Sequence, residues 1–120
     1  MDVIQRNATT PFITKDGSEI RELMAYRNSC IRNLSLAEAL LPPGGATQEH
    51  YHVETDEIYY ILRGRGLMRV GDEERTVGPL DAIAIPANQR HSIVNTGDEP
   101  LVFLCCCAPT YEHDKTVMTA

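Results

Sequence analysis

The stretch Gly44-Gly45-Ala46-Thr47-Gln48-Glu49-His50-Tyr51-His52-Val53-Glu54-Thr55-Asp56-Glu57-Ile58 gathers most of the residues able to do chemistry. His50 and His52 are two apart. On a helix that spacing sends the side chains to nearly opposite sides. On a strand it puts both on one face, about 6.6 Å apart along the chain. Two imidazoles so placed can tip toward one ion at metal–nitrogen distances of about 2.0–2.1 Å. The pair is therefore a chelate only in extended chain, which the Pro42-Pro43-Gly44-Gly45 turn before it and Val53 after it favour. Glu49, Glu54, Asp56 and Glu57 lie close by as oxygen donors. Glu57 is favoured because it opens the next strand, where alternation puts Glu57, Tyr59 and Ile61 on one face and Asp56 on the other. His91 follows the Pro86-Ala87-Asn88 turn and begins a strand that a barrel can return beside the first. Three histidines and one carboxylate suit a borderline divalent metal: iron, manganese, nickel, copper or zinc. Tyr59, on the face of Glu57, and Gln48, two residues before His50, are the further polar candidates at such a centre.

The elements that must position these residues read as short strands. Ile58–Leu62, Leu67–Val70, Ala82–Ile85, Ser92–Asn95 and Leu101–Ala108 are rich in β-branched or aromatic residues. Turn signals separate them at close intervals, the pattern of an all-β sandwich or barrel. Gly71-Asp72 suits a hairpin, and Asn95–Asp98 is expected to make another. Ser35–Leu41 combines high helix propensity with a position that also fits a strand, and periodicity does not separate the two. Ser18–Met24 is expected to form a helical turn.

With these residues in place, the sequence resembles the cupin superfamily. The family's first motif is G-x5-H-x-H-x3,4-E-x6-G, and Gly44, His50, His52, Glu57 and Gly64 fit it at every position. Its second is G-x5-P-x-G-x2-H-x3-N. Pro86, His91 and Asn95 fit, while Leu80 and Asn88 stand where the glycines would be. Asparagine tolerates the left-handed backbone that glycine usually supplies; Gly78 is expected to serve the turn in place of Leu80. The resemblance spans about residues 36–108. It implies an all-β, double-stranded β-helix (jelly-roll) barrel in a single domain, with a metal inside on His50, His52, Glu57 and His91. It also implies a small single-domain cupin of the kind that commonly forms homodimers. Residues 1–35 are then an N-terminal segment, of strand and short helical turn, contributing to the dimer contact. Residues 36–108 are the barrel and 109–120 a C-terminal tail.

The 120 residues are one domain's worth of chain, with 42% apolar and 23% charged residues, an ordinary globular composition. The net charge of −6 repels phosphate backbones and argues against nucleic acid as a partner. The longest apolar runs, Ile58–Leu62 and Leu101–Ala108, are far too short to span a membrane. The first residues lack the pattern of an export signal, so a cytoplasmic location with free thiols is expected. In a last strand, Cys105 and Cys107 share a face as small hydrophobes and Cys106 faces away. His113 is expected in a solvated tail, and Arg63, Arg65 and Arg69 on the outside.

These residues point to a metal-dependent enzyme acting on a small organic molecule. The expected scarcity of inward acid–base groups leans toward dioxygenase-type chemistry, which a dry pocket favours. The alternatives are a non-catalytic module binding a metal and a small ligand, and a sugar-phosphate isomerase-like cupin.

Overall fold

β-branched and aromatic residues recur at every second position between tight turns, and each such run becomes a strand with one face buried. The computed structural model describes residues 1–119. Among them eleven strands form: β1 (Phe12–Ile13), β2 (Glu19–Met24), β3 (Ser35–Leu41), β4 (His50–His52), β5 (Asp56–Arg63), β6 (Gly66–Val70), β7 (Glu73–Val77), β8 (Ala82–Ile85), β9 (His91–Asn95), β10 (Leu101–Ala108) and β11 (Thr116–Met118). Single 3-10 turns lie at Arg6–Ala8 and His113–Lys115. One sheet has the order β1-β2-β3-β10-β5-β8 and the other β11-β4-β9-β6-β7. The two antiparallel sheets face each other as a jelly-roll barrel, as expected. Ile61, Ile93, Leu101 and Phe103 fill the middle with essentially no exposure.

β5 and β10 carry the alternation most plainly. Glu57, Tyr59 and Ile61 are buried while Asp56, Ile58 and Tyr60 are exposed. Leu101, Phe103, Cys105 and Cys107 point inward from β10, with Cys106 half-buried on the other face. All four cysteines are free.

Several local expectations resolve differently. Glu19–Met24 is a strand rather than a helical turn, because it pairs with β3. Ser35–Leu41 takes the extended alternative because β2 and β10 hydrogen-bond it from both sides; tertiary pairing overrides helix propensity. Gly71-Asp72 does close a two-residue hairpin, joining Val70 to Glu73 with Gly71 at φ +58°. Asn95–Asp98 does not: it carries the chain from β9 in one sheet to β10 in the other. Buried Asn95 holds that crossing, donating from Nδ2 to the carbonyls of Leu41 and Glu99 at 3.0 and 2.9 Å.

At the two non-glycine positions of the second motif the backbone is left-handed all the same. Asn88 sits at φ +67° and Leu80 at φ +71°. Gly78 does open the turn, whose closing bond runs from the Asp81 N–H to the Gly78 carbonyl at 3.1 Å, and Leu80 takes its left-handed position, with its own N–H donating to the Ile61 carbonyl at 2.8 Å.

Candidate metal centre

β4 is only three residues long, but it lies between β9 and β11 and is held extended by both. His50 pairs with His91 across β9, and with Met118 across β11; His52 pairs with Thr116. The H-x-H spacing then sends both imidazoles inward, and the register brings His91 beside His50. Donor atoms of His50, His52 and His91 lie within 4.8 Å of one another, and all three residues are buried.

Hydrogen bonds on the far ring nitrogens set the tautomers. His50 Nδ1 donates to the Gln48 carbonyl at 2.7 Å, and His91 Nδ1 to the Gln89 carbonyl at 3.0 Å. A carbonyl only accepts, so each Nδ1 holds the proton and each Nε2 presents a lone pair. His52 Nδ1 lies 3.1 Å from Thr116 Oγ1, whose own proton goes to the Glu112 carbonyl at 3.2 Å. The threonine oxygen therefore accepts, and His52 Nε2 is also bare.

Glu57 enters from the opposing sheet. Its Oε1 lies 3.3 Å from Nε2 of both His52 and His91. Its Oε2 accepts from the Cys107 thiol at 3.3 Å, which the β5–β10 register places directly opposite. Burial pushes the Glu57 carboxyl up, but once the His52 and His91 rings take up a proton at Nε2 their hydrogen bonds and charge outweigh that and hold it below the usual carboxylate range. Burial, reinforced by neighbouring His91, pushes His50 down, which keeps its ring neutral.

Electron-rich atoms thus face one another with no proton between them. Glu57 Oε1 and His91 Nε2 are buried without a hydrogen-bond partner. Two donors each about 2.1 Å from one ion lie about 3.0 Å apart at a right angle and about 3.4 Å apart at the tetrahedral angle. The 3.3 Å separations fall in that span. The donor set fits a divalent cation.

Beside it opens a cavity of about 50 Å³, lined in part by Asp16, His50, His52, Glu57, Tyr59 and Tyr111. That is room for a few water-sized groups. Tyr59 is buried as expected, its ring edge-on to His91 at 5.9 Å and 4.6 Å from Phe103. Burial pushes the phenols of Tyr59 and Tyr111 up, so both stay neutral and able to donate. Gln48 does not join them. Its side chain is exposed, because β4 begins only at His50 and strand alternation does not reach back to residue 48. Thr47 is the buried neighbour, accepting the Ile93 N–H at 3.0 Å; Gln48 contributes only the carbonyl that orients His50. His113 is exposed.

Sequence reasoning missed four residues here. Thr116 and Tyr111 come from the segment expected as a tail, which folds back as β11 against β4. Cys107 was assigned the correct face, but its contact with Glu57 depends on a register no short pattern encodes. Asp16, in the turn Thr14–Ser18, places Oδ2 3.5 Å from His50 Nε2. It reads in sequence only as part of a Lys-Asp-Gly turn.

The family described as "Cupin domain" matches residues 37–107. The chain belongs to the cupins. This cupin is 48% identical over 106 residues to the uncharacterized protein MJ1618 of Methanocaldococcus jannaschii, covering 88% of this chain and 85% of that one. It is 34% identical over 95 residues to a glucose-6-phosphate isomerase of Thermococcus onnurineus, covering 68% of this chain but only 50% of the isomerase. The chain thus corresponds to half of that enzyme's length. A crystal structure of a predicted oxalate decarboxylase from Thermotoga maritima superposes with a TM-score of 0.79 at 28% identity, covering 90% of this chain and 99% of that one.

Proposed function

We propose that this cupin is a metal-dependent enzyme acting on a small organic molecule that offers an oxygen donor, such as a hydroxy-ketone or a hydroxy-acid. His50, His52, His91 and Glu57 hold the divalent metal. The observation that carries the reading is the buried, partnerless pair Glu57 Oε1 and His91 Nε2 within the group of three converging imidazoles. When bound, the metal supplies Lewis-acid polarisation of a substrate oxygen. The Nδ1 bonds of the three histidines keep their lone pairs aimed inward, and the Cys107 thiol fixes the carboxylate of Glu57. Tyr59 is positioned to donate a hydrogen bond to the bound molecule.

Lewis-acid chemistry is preferred to oxygen activation because polar side chains join the largely apolar wall of the cavity, where the sequence led us to expect aliphatic ones. Thr14, Asp16, Ser18, Tyr111 and Thr116 all line it. A sugar phosphate is disfavoured on charge. No Lys or Arg lines the cavity among the described residues, while Asp16, Glu22 and Glu57 do, so a dianion has no clamp.

The dimer expected from the resemblance has support in one surface. Ile58, Tyr60 and Leu62 stand exposed on the outer face of β5. Leu104 and Cys106 of β10 lie directly across from Tyr60 and Ile58. A second copy covers this face in the proposed homodimer.

Protein purified without contact with an affinity metal should carry close to one divalent metal per chain. Replacing His91 with Ala should remove it, while Cys106→Ala should leave it. Turnover of hydroxy-ketones or hydroxy-acids should proceed under an oxygen-free atmosphere. Metal retained in His91→Ala defeats the ligand assignment; turnover that consumes oxygen returns the reading to a dioxygenase.

A further inference from the structure

We infer that Asp16 is a fifth protein ligand of the metal, supplied by the N-terminal segment from outside the two motifs. This rests on the reading that the three imidazoles and Glu57 hold a divalent ion.

The two oxygens of the Asp16 carboxylate have different surroundings. Oδ1 is saturated: it accepts from Thr14 Oγ1 at 2.6 Å, from the Ser18 N–H at 2.9 Å and from Ser18 Oγ at 2.6 Å. Those bonds fix the plane of the carboxylate and leave Oδ2 facing the cavity, 3.5 Å from His50 Nε2. The His50 proton is committed to Gln48 at Nδ1, so this too is an oxygen anion set against a nitrogen lone pair. The separation lies between the roughly 3.0 Å of two adjacent ligands and the roughly 4.2 Å of two opposite ones on a six-coordinate ion with donors about 2.1 Å away.

The turn is also fixed relative to β4. The Gln48 N–H donates to the Asp16 carbonyl at 2.8 Å, and Lys15 Nζ donates to the Thr116 carbonyl at 3.2 Å. Gln48 therefore bridges both groups. Its N–H holds the Asp16 backbone and its carbonyl holds the His50 ring.

Three imidazoles and two carboxylates neutralise a divalent charge and leave one position on a six-coordinate ion. That set favours manganese or iron over a four-coordinate zinc. It also leaves room for one oxygen of a substrate at a time.

The test is a titration of Mn²⁺ into the chelator-stripped full chain, wild type and Asp16→Asn, by calorimetry. It is paired with a count of metal-bound waters by magnetic resonance in isotopically labelled water. Asparagine keeps an oxygen for Thr14 and Ser18 but removes the anionic donor. Asp16→Asn should bind Mn²⁺ at least about tenfold more weakly and gain one bound water. Unchanged affinity, or weaker binding with no added water, overturns the proposal, the latter because it signals charge acting through space. The wild type decides independently of how the variant folds: one bound water supports five protein ligands, and two overturns them. A wild type that binds no Mn²⁺ or other divalent ion instead defeats the underlying three-imidazole reading.

Discussion

Each imidazole of the centre commits its Nδ1 proton to a partner outside it, and three lone pairs converge as a result. Such outer contacts commonly alter metal affinity about 10–100-fold when removed. The Cys107 thiol plays the same part for Glu57, so Cys107→Ala should weaken metal binding about tenfold while Cys107→Ser, which keeps a donor, largely restores it. Calorimetric titration checks this; equal affinity in the alanine variant contradicts it. The shifted pKa values give a pH dependence with a definite sign. His50 is held below its ordinary value near 6.5 and Glu57 below the ordinary carboxylate value. For both, the unfolded chain binds protons more readily than the folded one. Their contributions are present above the unfolded pKa values and lost as pH falls through the folded ones. The urea midpoint of the chelator-stripped protein should therefore fall below about pH 6.5 as the His50 contribution is lost, and fall further between about pH 4.5 and about pH 2 as that of Glu57 is lost. A flat or rising midpoint would refute the assignment. Metal affinity should fall over the same range, since protonated imidazoles cannot ligate.

Strand elements deliver these side chains, and their turns carry the strain. Leu80 is 71% exposed at φ +71°, a conformation that costs a residue with a Cβ roughly 1–2 kcal/mol. Replacing it with Gly should raise stability by about 1 kcal/mol, or roughly 4 °C in Tm, measured by thermal unfolding. No gain, or a loss, would show the strain to be relieved in place. Gly64, at φ +89°, admits no such exchange, because a Cβ there would sit 2.7 Å from the Pro100 carbonyl oxygen. How much of this was legible follows from what each signal encodes. H-x-H and the alternation from Glu57 to Ile61 encode faces, and faces were read correctly. The return of His91 beside His50 was expected from the family resemblance, whose second motif includes it, and the β4–β9 register delivers it. Asp16, Thr116 and Tyr111 were not readable, because they arrive through turns and a short edge strand whose partner lies far away in sequence. Gln48 misled because strand parity was extended into a segment that is not strand. β7, rich in charge and exposed on most of its length, carried no apolar alternation to announce it.

Across the whole molecule, an outward apolar stripe on the six-stranded sheet is the feature that a lone barrel leaves uncovered. Introducing a charge there, as Ile58→Lys, should shift sedimentation from dimer to monomer while leaving metal content intact. A wild type that sediments as a monomer removes the dimer. No helix among the described residues is long and apolar enough to cross a membrane. The convergence of two distant stretches on β4 has a further effect. The Gln48 amide is pinned by the Asp16 carbonyl at 2.8 Å and the Val53 amide by the Lys115 carbonyl at 3.0 Å. Both clasps flank the histidine pair, so a cation seated there must slow the breathing of strands near either terminus of the chain. Deuterium uptake at those two amides becomes an optical-label-free gauge of occupancy, slow when loaded and fast when stripped, and identical uptake in both states would uncouple the clasps from the ion.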